Sequence, residues 1–124
     1  MLVQLAFNMP VLAGNPGPSV YTDIFSLVGA NAVQVSVVVV SGGGTTNHTL
    51  KLFVEGSTEK ETWHDQNGTT PAAVITIVAD AGTGKTGAGS SAIMGFPYAR
   101  CRLHMEGTGA NNVTVAIVAN TFAK

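Results

Sequence analysis

The sequence predicts an all-β fold, an antiparallel β-sandwich of about seven or eight strands in a jelly-roll or immunoglobulin-like arrangement. Three observations predict it. β-branched residues recur with period two, clusters of Gly, Asn, Pro and Ser separate the runs, and helical periodicity is hard to find anywhere in the chain. A length of 124 residues suits one domain with a single core.

The first segment differs from the rest. Residues 1–19 read as an N-terminal strand followed by an extended, Pro/Gly-rich arm, because Pro10, Pro16 and Pro18 cannot donate to a continuous ladder. The sandwich domain is then expected over residues 20–124. Such an arm is either a plain surface loop or a strap that adds to a neighbour's sheet edge. On the second reading Leu2, Leu5, Phe7, Pro10 and Val11, with Tyr21 and Phe25 behind them, are the candidate protein-interface residues. Ordinary core packing competes for the same side chains.

From Ala32 to Val40, Val33, Val35, Val37 and Val39 point one way and Gln34 and Ser36 the other. Val38 and Val40 make the end of that strand apolar on both sides, as in the middle of a sandwich or at an assembly contact. Gly42-Gly43-Gly44 interrupts the pattern and implies a hairpin or corner. Leu50, Leu52 and Val54 then resume it opposite Lys51 and Glu55. Val74 to Val78 reads as a short buried strand. The clearest alternation sets Cys101, Leu103 and Met105 against Arg100, Arg102, His104 and Glu106. Gly107 to Asn112 reads as a tight turn into Val113, Val115 and Ile117, closing a C-terminal hairpin.

Composition narrows the function. Charged residues make up 10% of the chain and apolar residues 45%, against about 25% charged in an ordinary soluble domain. A net charge of -1 gives copies little mutual repulsion, so self-association or docking is the natural consequence. Six Lys and Arg against seven Asp and Glu provide no basic stripe for nucleic acid. Cys101 is the only cysteine, which rules out an internal disulfide and points to a core role. The opening residues lack the basic region of a signal peptide and no apolar run approaches membrane-spanning length, so synthesis in the cytosol without a membrane span is expected.

Several motifs resemble chemistry without its context. Ala79 to Thr86 fits a relaxed phosphate-loop pattern, and Gly82, Gly84 and Gly87 fit the dinucleotide spacing. Both motifs need a helix N-terminus to hold phosphate. Gly87-Ala88-Gly89-Ser90-Ser91 is instead a poor helix start, so Gly82 to Gly89 reads as a flexible loop. His48, His64 and His104 show no local metal spacing, with His104 expected on the polar face of its strand and His64 in a loop. The Asn-X-Thr triplets at Asn47, Asn67 and Asn112 suit a chain rich in both residues. No catalytic residue, metal or cofactor is expected, and the chain is not read as an enzyme.

The stretch from Leu50 to Trp63, with Glu55-Gly56-Ser57, a polar turn and then Trp63, resembles a repeated feature of β-sandwich modules in phage virion proteins and discoidin-like domains. There Gly56 is expected to relieve the backbone where the strand ends, and Trp63 to fold back on the sandwich as an apolar plug. Gly95-Phe96-Pro97-Tyr98 leading into the Arg-alternating strand is similar to such proteins as well. The usual Asp of the turn is replaced by Glu59-Lys60-Glu61. Among these proteins, small chains with a Pro/Gly-rich N-terminus resemble head decoration or cement proteins of tailed phages. That resemblance implies a homo-oligomer, commonly a trimer, on the capsid exterior, bridging subunits of the major capsid protein. A glycan- or receptor-binding module of a virion is the alternative, with Trp63, His64 or Tyr98 stacking on a sugar.

Overall fold

A computed structural model describes residues 1–42, 49–66, 71–77, 84–107 and 112–124. Every regular element among them is a strand: β1 (Leu2–Val11), β2 (Val20–Tyr21), β3 (Phe25–Ser26), β4 (Ala32–Gly42), β5 (Thr49–Ser57), β6 (His64–Asp65), β7 (Ile75–Ile77), β8 (Thr86–Ser90), β9 (Tyr98–Glu106) and β10 (Val113–Phe122). One sheet has the order β1-β10-β4-β8. The other is built around the β9-β5 pair, with β2 and β3 both on the far side of β9 and β6 and β7 both on the far side of β5. All pairings are antiparallel.

If β2 with β3, and β6 with β7, are each taken as one interrupted strand, eight strands remain. Their orders are then first-eighth-third-sixth and second-seventh-fourth-fifth. Each strand therefore pairs with its counterpart from the other end of the chain, as in one long hairpin wrapped around a core. This is the jelly roll, so the choice left open by periodicity falls away from the immunoglobulin arrangement.

The valine alternation is realised as read. Val33, Val35, Val37 and Val39 from β4 and Val113, Val115, Ile117 and Ala119 from β10 meet Leu50, Leu52 and Val54 from β5 and Ala99, Cys101, Leu103 and Met105 from β9. Burial drives this face selection, because a fully buried Val or Leu is worth about 1.5–3 kcal/mol and a one-residue slip would expose the whole set. Burial also pushes the Cys101 thiol up to about 12.

Three expectations need correction. The segment from Gly107 does not close a hairpin, because β9 and β10 lie in opposite sheets; alternation fixes an inward face but not which sheet supplies it. β4 and β5 likewise lie in opposite sheets, as the corner and not the hairpin of the two alternatives for the glycine interruption between them requires. The expected arm is seated on its own sandwich: β1 pairs along β10, and Gly17 donates to the Met105 carbonyl at 2.7 Å. Finally, Thr86–Ser90 is a strand on β4 and not a loop. A Cβ on Gly87 would stand 2.5 Å from Ile75 Cγ2, and one on Gly89 2.3 Å from the Val74 carbonyl oxygen. The glycines are there so that β7 can close over β8. Residues 78–83, the front of the phosphate-loop pattern, lie outside the described residues, as does His48.

Candidate functional site

The two sheets present opposite outer faces. On the β9-β5 sheet, the polar positions of the alternation form a network of cations over aromatic rings. Glu55 accepts from Arg100 Nε at 2.9 Å and from Arg102 Nε at 3.2 Å. The Arg100 guanidinium lies 4.0 Å from the Tyr21 ring centroid and 4.3 Å from that of Trp63. Arg102 lies 4.0 Å over Phe53, and Lys60 4.5 Å over Tyr98. Charge and ring thus cover one another.

His104 continues the network. Its ring stacks on Phe53 at 5.5 Å, its Nδ1 faces Arg102 Nη1 at 3.4 Å, and its Nε2 lies 2.6 Å from Glu106 Oε2. A guanidinium only donates, so Nδ1 is the acceptor and Nε2–H donates to the carboxylate. Lys51 reaches the same Glu106 oxygen at 3.2 Å. The hydrogen bond from His104, and then that from Lys51, hold Glu106 below the usual carboxylate range. His104 does occupy the polar face, as expected, yet it is buried there by its neighbours.

The Glu55–Trp63 motif lies where the chain turns from the fourth jelly-roll strand to the fifth, the one consecutive pair that stays in a single sheet. Glu59 organises that turn by accepting from the Thr62 amide, Thr58 Oγ1 and Ser57 Oγ. Those bonds lower its carboxyl to about 2. Lys60, at φ 69°, turns the corner. Trp63 is not a core plug: it lies half-buried on the outer face against Arg100. Gly56 has a different task from relieving the strand end, since a Cβ there would stand 2.4 Å from Phe96 Cδ2. Phe96 seats on that glycine, and exposed His64 stacks on Phe96 at 5.5 Å. Trp63 and Tyr98 therefore carry their own cations, while His64 belongs to a separate stack.

The outer face of the β1-β10-β4-β8 sheet is chemically the reverse. Its outward positions are Leu2, Gln4 and Pro10 on β1, Thr114, Ala116, Val118 and Asn120 on β10, Gln34, Ser36, Val38 and Val40 on β4, and Thr86, Ala88 and Ser90 on β8. None of these side chains is ionisable. A shallow depression of about 490 Å³ lies between Val38, Ala116, Val118 and the small residues Thr86, Gly87 and Ala88. A second, of about 390 Å³, adjoins it at Ser36 and Val118 and extends to Leu2 and Asn120.

Of the interface candidates, Leu5, Val11 and Phe25 are part of the core and covered by the chain itself. Leu2, Phe7, Pro10 and Tyr21 are exposed. Tyr21 sits on the cation-rich face, whereas Leu2 and Pro10 belong to the uncharged one. Sequence reading missed the uncharged face because β8 was not recognised as a strand and because strand order decides which polar positions become neighbours.

No protein-family model matches the chain, and no curated protein matches it. Solved structures share its fold. The PBSX exported protein XepA superposes over 100% of this chain and 37% of its own, at 12% identity and a TM-score of 0.59. A chain in the structure of infectious bursal disease virus Gx strain superposes over 98% of this chain and 32% of its own, at 9% identity and a TM-score of 0.65. CBM35 from Cellvibrio japonicus Abf62 superposes over 99% of this chain and 94% of its own, at 10% identity and a TM-score of 0.54. This chain thus spans about a third of the first two proteins, and identities this low establish the sandwich fold alone.

Proposed function

We propose that the chain is a non-enzymatic structural protein of a virus particle, a decoration or cement subunit that stabilises the shell from outside by bridging capsid subunits. The observation that carries this reading is the uncharged outer face of the β1-β10-β4-β8 sheet. Docking there desolvates no ion, so burial is not opposed by the penalty that charged surface imposes. Strands of ten, ten, eleven and five residues, spaced about 4.8 Å, give this face roughly 600 Å². A standard interface covers about 800 Å² per partner. One copy on this face alone therefore binds weakly, and many copies on one shell supply the rest through multivalency. The occurrence of the fold in a chain from a virus structure is consistent with that role.

The glycan-binding reading draws on the aromatic residues of the opposite face and on the fold shared with CBM35. It has less support, because Arg100, Lys60 and Arg102 already lie over Trp63, Tyr98 and Phe53. Sugar stacking would have to compete with these contacts.

Co-sedimentation with particles of the parent virus that lack this protein tests the proposal. The intact chain is expected in the pellet, and Val38→Lys, which places a charge in the uncharged face, in the supernatant. If Val38→Lys pellets as well as the unaltered chain, or the unaltered chain never pellets, the proposal is wrong. Loss of particle binding in Trp63→Ala alone would favour the glycan reading.

A further inference from the structure

The uncharged surface does not stop at the sheet. The connections from β3 to β4 and from β8 to β9 cross between the sheets at the end of the sandwich where β4 begins. They lie side by side there: the Leu27 amide donates to the Pro97 carbonyl at 2.7 Å, and the Met94 amide to the Asn31 carbonyl at 2.8 Å. Neither residues 24–40 nor residues 86–97 include an ionisable side chain. Asp23 precedes the first crossing and Lys124, whose amide donates to Asn31 Oδ1 at 2.8 Å, borders it. Charge is thus confined to the rim, as at the edge of a protein interface.

Each crossing displays an apolar side chain that its own fold does not require. The Ala30 amide donates to the Leu27 carbonyl at 2.9 Å and Gly29 has a φ of 77°, the geometry of a type II turn. Such a turn needs glycine at its third position and favours proline or polar residues before it, so a β-branched residue gains nothing there. Val28 nonetheless occupies that place and is 87% exposed, more than any other large apolar side chain among the described residues. In the second crossing Met94 is buried and anchors the chain to the core, while Ile93 beside it stands 60% exposed. This end adjoins the uncharged face directly. Leu2, Asn120, Gln34 and Ser90 form one outward row of the sheet next to the loops, and the smaller depression opens along the first three. At the opposite end the same sheet runs into exposed Lys85.

We infer that Val28 and Ile93 contact a second capsid subunit, so that one chain holds one subunit by its uncharged sheet and the neighbouring subunit by this end. The inference rests on the reading of the chain as a shell-bridging protein, and it names the surface that makes the other half of the bridge. Area is the first argument for that occupant. The face alone offers roughly 600 Å², short of the about 800 Å² per partner of a standard interface, and the end extends it without an ion in between. Direction is the second. The crossing loops span the gap of about 10 Å between the sheets, so the end stands across the face, and a flat partner seated on the face leaves Val28 and Ile93 uncovered. A bridge needs two surfaces aimed at different subunits, and face and end supply them along one continuous border.

Particles that lack this protein test the bridge. The unaltered chain should raise the temperature at which they release their nucleic acid. The doubly substituted chain Val28→Lys, Ile93→Lys should keep its own melting temperature, since both sites are exposed, and should bind with an affinity lowered roughly 100-fold, the loss expected when one of two linked contacts goes. At saturation it should still pellet through the face and no longer protect the shell. Equal protection by this chain at saturation overturns the inference. Photo-crosslinking on purified particles reads the same contact without an added charge. Chains carrying Val38→p-benzoylphenylalanine or Val28→p-benzoylphenylalanine should each join to one capsid subunit, and a chain carrying both should give an adduct with two. No adduct from position 28, an adduct there with another copy of this chain, or a single capsid subunit on the chain carrying both overturns the inference while the adduct from position 38 upholds the docking face. If the unaltered chain does not pellet and position 38 gives no adduct, the shell reading itself fails and the bridge with it.

Discussion

The outer face of the β9-β5 sheet carries Lys51, Glu55, Arg100, Arg102, His104 and Glu106, with Glu59, Lys60 and Glu61 in the adjoining turn, whereas the outward positions of the β1-β10-β4-β8 sheet carry no ionisable side chain. The chain's low charge is therefore not spread thinly. Most of it is gathered on one side, where each cation finds a ring or a carboxylate. A water-facing surface can be held together by such pairs at modest gain. A surface meant to be covered by protein does better without them, since every unpaired ion would have to be dehydrated.

If that division is right, the two sides respond differently to substitution. The largest loss of stability is expected where β7 closes over the uncharged sheet. Gly89→Ala forces a Cβ against the Val74 backbone and should cost about 3 kcal/mol, the upper end for overpacking, read from the urea midpoint. On the charged side, Glu55→Ala strands two partly buried guanidinium groups, and a loss of about 2 kcal/mol is expected in the same assay. A Glu55→Ala midpoint equal to that of the unaltered chain would show that the network is decorative.

Acid provides a finer probe of the charged side. Glu59 titrates near 2 in the folded chain, below its ordinary value of 4.5. Its contribution is therefore complete above about pH 4.5 and lost as the pH falls toward 2. Glu59→Gln should flatten the stability profile across that window, and an unchanged acid limb would contradict the turn geometry. The smallest stability effect belongs to the uncharged face. Val38→Lys should shift folding stability by no more than about 0.5 kcal/mol, while the same substitution abolishes docking in the particle assay.

Much of the core was legible in the sequence because Val33 to Val37 and Cys101 to Met105 alternate strictly, and a period of two admits only one inward set. What alternation does not carry is sheet membership. Val113 to Ala119 would face the core equally well from either sheet, so β9 and β10 read as a hairpin although they lie across the core from one another. Thr86–Ser90 was invisible as a strand because glycine gives no β signal, and its reason is a neighbour, Ile75 or Val74, distant in sequence. The candidate site was less legible still. Leu2, Phe7, Pro10 and Tyr21 were recognised as apolar and left over, but Leu5, Val11 and Phe25 looked the same until the fold placed them inside. Arg100 and Arg102 were read as polar positions, and only the β5-β9 register shows that Glu55 serves both.

Hydroxyl-radical footprinting of the particle-bound protein against the free protein tests the division of faces most directly. Labelling of Leu2, Val38 and Val118 should fall sharply on binding, while Tyr21, Trp63 and Tyr98 keep the rates they have in solution. Protection of the three aromatic residues with unchanged labelling of Val38 and Val118 would contradict the account.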